Sequence, residues 1–288
     1  MKPTAVFTAR LFFIVLFLAL TAFFLDIFLR YLIRTVLFIL RSAGMEIGDE
    51  TVTEWLFRQD FYGLLLVIMV VSLLYAFVRY ISRRDFFKHS RFYPPKGKSL
   101  MLAVFIGIST VFLSEMVLRV TRRMFPETLA ALQSRFEVIA ESEVMPMMFA
   151  VVVFAPFFEE IFFRGILFRV FEQHRASLWT SLVLTSFLFA VYQMNVIDGL
   201  YAFTLGLVIG LSFIWSASLW VPITIHFVHN GFSTLFQRGD LDWLLTAVPG
   251  LETYISYLFV FLLLPLSLWR LHRLRPTNPR RPQRKCIY

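Results

Sequence analysis

The chain has 288 residues, 58% of them hydrophobic and 35 of them Phe, and a formal charge of +9. An apolar share well above the roughly 45–50% of soluble domains excludes a soluble globular protein and indicates a polytopic membrane protein. The cations stand at the ends of apolar segments rather than on a soluble basic face, so they set topology and do not imply nucleic acid.

The single cysteine, Cys286, excludes an internal disulfide and a Cys-based zinc site. It stands third from the end, whereas prenylation needs the fourth position, so the chain does not read as a prenylated substrate.

A first span is predicted from about Phe7 to Leu29, behind Lys2 and Arg10, with the roughly 20 residues a bilayer requires. No small-residue cleavage site follows it, so it reads as a retained helix rather than a signal peptide. The connection from Gly44 to Asp60 is acidic and is placed outside. A second span, Phe61 to Ile81, ends in Arg79, Arg83, Arg84, Lys88, Arg91, Lys96 and Lys98, a strong positive-inside signal.

A third span is predicted over Leu100 to Val120, with Glu115 reaching the interface or pairing with Arg119 four residues on. Leu129 to Ile139 has the spacing of an interfacial amphipathic helix. A fourth span, Met145 to Val170, is followed by Leu178 to Val196, Leu200 to Trp215, Leu219 to Phe236 and Tyr254 to Leu271. The fold class expected is all-α, with about eight membrane helices and both termini cytoplasmic. Four regions follow: helices and interfacial helix over 1–143, a core over 144–236, a last span over 237–275, and a basic disordered tail over 276–288 that can lie against anionic lipid.

Charges within a span are costly and mark function. In the fourth span, Glu160 and Arg164 are four residues apart with the acid first, the favoured order for an ion pair on a helix. Glu159, about 100° around the axis from Glu160, has no partner in its own helix. It suits a group that takes a proton from water. The alternative is that both acids serve only as structural glue between helices.

In the seventh span His226, His229 and Asn230 share about 100° of arc, so one face points into the bundle. His and Asn can donate to an oxyanion developing on a carbonyl. Counted from the cytoplasmic ends, Glu159 and His226 both lie roughly 10 to 15 Å deep at about 1.5 Å per residue, so they can meet.

Glu159-Glu160-Ile161-Phe162-Phe163-Arg164 and His226-Phe227-Val228-His229-Asn230 resemble the CAAX-protease and bacteriocin-processing (Abi-type) family of intramembrane endopeptidases. That family shows Glu-Glu-x-x-x-Arg, then Phe-x-x-x-His, then His-x-x-x-Asn or His-x-x-x-Asp on successive membrane helices. The resemblance covers about Met145 to Phe236. It implies Glu159 as general base, Glu160 and Arg164 as its support, and His226 and Asn230 as oxyanion donors.

The middle motif departs from the pattern. Phe189-Ala190-Val191-Tyr192-Gln193 puts Gln193 where the family has histidine. Glutamine can hold a water but cannot take its proton. Glu159 is then the sole base, with Gln193 holding the water; otherwise His229 shares the missing role, or the protein is an inactive relative that acts by binding, in immunity or assembly.

A zinc ion on Glu159, His226, His229 and Glu160 is the alternative to a metal-free site, although the spacing is not the His-Glu-x-x-His of soluble zinc proteases. A small transporter is disfavoured by the lack of a repeat or a broken-helix pair. The expected partners are membrane lipid and a peptide or membrane-protein substrate, and the expected location is a bacterial inner membrane.

Overall fold

The computed structural model describes Ser42 and residues 90–124, 148–173, 176–193, 196–240 and 250–276. The first two predicted spans, the amphipathic segment Leu129 to Ile139 and the tail beyond Pro276 lie outside the described residues. The chain divides into two compact units, Met1–Arg84 and Asp85–Tyr288, and every helix with described bounds belongs to the second. Among the described residues there is no strand, as the sequence predicts.

Helix α1, Gly97–Met124, starts behind Pro94 and Pro95, which cannot continue a helix, and ends on Arg122 and Arg123, which favour the negative end of the dipole. Helix α2 spans 148–173. Its α-helical turns Ala155–Glu160 and Phe168–Gln173 alternate with the wide π turns Met148–Phe154 and Ile161–Leu167. Helix α3, Leu178–Tyr192, is capped by Ser177, whose hydroxyl accepts from the Thr180 amide at 3.0 Å. Helices α4, Val196–Ser216, and α5, Trp220–Gln237, follow. The last, α6, runs over Leu251–Arg273 and includes a third wide turn, Leu258–Leu263.

Two of the wide turns end just before a proline, Pro156 and Pro265. A proline has no N–H for the carbonyl one turn back and crowds it, so the helix widens there. The remaining wide turn, Ile161–Leu167, contains Arg164 and Gly165 and has no proline. Such turns are frequent at functional sites.

Close packing rests on small residues. A Cβ on Gly206 of α4 would stand 3.1 Å from both Cα and Cβ of Ser186 on α3. One on Gly107 of α1 would stand 2.7 Å from Val228 Cβ and 2.8 Å from the Ile225 carbonyl on α5. Small residues let membrane helices approach in this way. On α3 the buried hydroxyls turn back on their own helix: Thr185 donates to the Ser181 carbonyl at 2.7 Å and Ser186 to that of Leu182 at 2.8 Å. They are therefore satisfied without a partner from α4.

Outward, Met101, Phe105, Trp179, Phe187 and Phe261 are exposed, which suits lipid rather than water. Gly97–Met124, Val196–Ser216 and Leu251–Arg273 are long and apolar enough to cross a bilayer, and Leu178–Tyr192 is a shorter apolar helix. The molecule is an integral membrane protein. Three such helices are fewer than the eight spans predicted; two of the eight lie outside the described residues, and α2 and α5 carry the polar interior.

At one end of the bundle the turn between α4 and α5 docks on segment 91–96. Leu219 donates its amide to the Arg91 carbonyl at 2.9 Å, and the Ser218 hydroxyl donates to the Tyr93 carbonyl at 2.6 Å. Arg91 and Ala217 both take left-handed backbone, at φ 59° and 53°, to make this turn-on-turn contact. The Arg91 guanidinium covers the Phe213 ring and pairs with Glu172 at 3.2 Å, and Arg169 pairs with the same carboxylate. Burial pulls the Arg91 guanidinium below its ordinary value and the Glu172 charge opposes this. At the opposite end Arg119 pairs with Glu252 of α6. Arg119 therefore ties α1 to α6.

Candidate active site

Glu160 is the hub. Its Oε1 accepts from Arg164 Nη1 at 2.8 Å and lies 2.8 Å from His226 Nδ1. Both Glu160 and Arg164 are 0% exposed. The predicted i, i+4 pair is present, and Arg164 extends it by donating Nη2 to the Gly206 carbonyl at 2.9 Å. This planar fork crosslinks α2 to α4, a geometry that lysine could not supply.

A carboxylate on Nδ1 holds that nitrogen as the donor and turns Nε2 outward. Nε2 lies 3.6 Å from Oε2 of Glu159, whose side chain is 18% exposed. Glu159 and His226 therefore meet, as their matched depth predicts. The match is clearest from the contact of Gly165 with Leu219, where an added Cβ would stand 3.5 Å from the leucine side chain. From that level Glu159 is six residues along α2 and His226 seven along α5.

With Glu159 and Glu160 ionised, Arg164 protonated and His226 neutral, the cluster carries one net negative charge. A proton placed between Glu159 and Nε2 cancels it.

Asn230 is partly engaged. Its Nδ2 donates to the Val151 carbonyl at 2.8 Å. In a wide i→i+5 turn the carbonyl of residue 151 looks to the nitrogen of residue 156, and Pro156 has no N–H. Asn230 supplies a donor there, and its second N–H remains.

His229 turns towards α1. The Thr110 hydroxyl donates to the Gly107 carbonyl at 2.7 Å, so its oxygen accepts from His229 Nδ1, 3.1 Å away. The Nδ1 side of the ring is thus tied to Thr110 on α1. Among the described residues no group of three or more His, Cys, Asp or Glu side chains is arranged to hold a metal ion. The two glutamates lie on opposite ring nitrogens of His226.

Gln193 follows the last residue of α3, half-buried, its backbone still helical. Glu159 lies fourteen residues before Gln173 at the end of α2, and Gln193 fifteen after Leu178 at the start of α3. The extension of α2 past its predicted end at Val170 brings the two to similar depth. Phe189, four residues earlier, is buried against the site. Its ring is edge-on to His226 at 5.7 Å and to Phe163 at 5.1 Å, and the Arg164 guanidinium lies 5.3 Å from its centroid.

Residues 141–232, 92 of the 288, match a family model described as type II CAAX prenyl endopeptidase Rce1-like. This segment is similar to the CAAX-protease family. The Rce1-like match includes Glu159, Glu160, Arg164, Phe189, Gln193, His226, His229 and Asn230, so the whole polar cluster falls within it. The chain matches no curated protein and no solved structure.

Thr110, the Gly206 carbonyl and the Val151 carbonyl are site partners that motif reading misses. Only Gly206 leaves a trace in the sequence, in the small-x-x-x-small spacing Gly206 to Gly210.

Proposed function

We propose that this chain is an intramembrane endopeptidase that cuts a peptide bond near the cytoplasmic face with a glutamate-activated water. The observation that carries this reading is the buried chain Arg164–Glu160–His226–Glu159, which leaves one carboxylate and one ring nitrogen facing each other at 3.6 Å. Glu159 takes a proton from water, the hydroxide adds to the carbonyl carbon, and the C=O electron pair moves onto oxygen. The remaining Asn230 N–H and the His226 Nε2 face, once protonated, stabilise that oxyanion. The proton shared by Glu159 and His226 passes to the leaving nitrogen as the C–N bond breaks. Acid and amine leave and Glu159 is again a carboxylate. Gln193 holds the water by hydrogen bonds.

Peptides and membrane-protein segments are the substrates this site suits. Purified Glu159→Gln in detergent is expected to lose cleavage of a peptide library while keeping the wild-type melting curve. Cleavage at the wild-type rate would remove Glu159 from the role of base.

The presence of Gln193 favours a second reading, an inactive relative that binds membrane partners without cutting them. Under it wild type cuts nothing, and Glu159→Gln leaves the cellular phenotype unchanged.

A further inference from the structure

Tyr192 lies on α3 three residues after Phe189 and one before Gln193, at the edge of the buried face, with 54% of its surface exposed. Its ring packs edge-on against Phe163 at 5.8 Å. Phe163 is four residues beyond Glu159 on α2 and also touches Phe189, whose ring lies on His226. The Tyr192 ring therefore packs on α2 one turn beyond Glu159. A tyrosine hydroxyl is donor and acceptor at once and can hold a water by hydrogen bonding. The nucleophilic water needs a second partner besides the base, and glutamine alone stands at the position where the family places a histidine.

We infer that Tyr192 is a further catalytic residue, whose hydroxyl holds the nucleophilic water against Glu159 and, with Gln193, fills the place of the absent histidine. The inference rests on the reading of Glu159 as base. The hydroxyl orients the water by hydrogen bonding, and no bond to Tyr192 is made or broken.

Tyr192→Phe keeps the ring and its packing on Phe163 and removes only the hydroxyl. In purified protein cutting a fluorogenic peptide, kcat is expected to fall at least tenfold with KM within twofold. Adding Gln193→His to Tyr192→Phe is expected to restore most of the loss, which repair of a merely structural defect would not do. If Glu159→Gln abolishes cleavage but Tyr192→Phe stays within twofold of wild type, Glu159 keeps its role and the tyrosine inference is wrong.

A second readout does not need turnover: the rate at which a hydrophobic carbodiimide modifies Glu159, followed by mass spectrometry. Tyr192→Phe is expected to change that rate severalfold. If wild type cuts no peptide, the endopeptidase reading fails on its own. An unchanged labelling rate then removes Tyr192 from the Glu159 site as well, and a changed rate keeps it there as a water-holding contact.

Discussion

Arg164 and Glu160 neutralise each other where neither can reach solvent, and that makes each costly to remove alone. Arg164→Met leaves a buried carboxylate with only His226 and is expected to cost about 3–5 kcal/mol, read as a lower melting temperature in detergent. The double variant Glu160→Gln with Arg164→Met is expected to recover much of that stability while remaining inactive, because the Nδ1 partner of His226 is no longer a carboxylate. Equal stability for wild type and Arg164→Met would show that the pair is not a structural crosslink.

The ion pair was legible in the sequence because helical spacing alone places residues 160 and 164 together. So was the meeting of Glu159 with His226, since antiparallel helices of known polarity reach the same depth. Which ring nitrogen faces which glutamate was not legible, because that depends on the crossing angle of α2 and α5. The Asn230 bond to Val151 was hidden for a related reason: it answers a local widening of the backbone that no side-chain pattern records.

Between elements, the contacts that set the site are made by residues without side chains. Gly107→Ala puts a methyl group into the backbone of α5 at Ile225, and overpacking of this kind costs about 1–3 kcal/mol. Because α5 carries His226, His229 and Asn230, cleavage is expected to fall further than stability. Gly97→Ala is the control, since nothing lies within 4 Å of its added Cβ, and it is expected to stay within about 0.5 kcal/mol of wild type. The two melting curves and the two cleavage rates together decide this; equal behaviour of both variants would show that α1 can shift without moving α5. Helix limits in the second unit were legible to within a few residues, as at α5, predicted over Leu219 to Phe236 and observed over Trp220–Gln237. The missed extension of α2 to Gln173 has a cause in composition. Phe168–Gln173 carries Arg169 and Glu172, which a hydropathy reading assigns to water, whereas Glu172 is held by both Arg91 and Arg169 against the bundle.

For the molecule as a whole, the basic end formed by segment 91–98 and the last turn of α6 is expected to face the cytoplasm. A cysteine placed at exposed Lys98, in a Cys286→Ser background, is expected to react with an impermeant maleimide only after the membrane is opened. A cysteine at Gly239, at the other end, is expected to react on intact cells. The reverse pattern would invert the topology and put the scissile bond on the other side. The wide turns of α2 carry a consequence for chain length. Each holds one more residue than a regular turn, a surplus inserted into an otherwise ordinary helix. Deleting one residue within 148–154, together with Pro156→Ala, lets that turn relax to ordinary pitch while everything from Glu159 onward keeps its phase. Deleting one residue between Glu160 and Arg164 rotates the guanidinium away from its carboxylate. Sequences that share this site can therefore differ by one residue before residue 155 and still align in space, and a gap in that stretch is a change of pitch rather than a loss of the site.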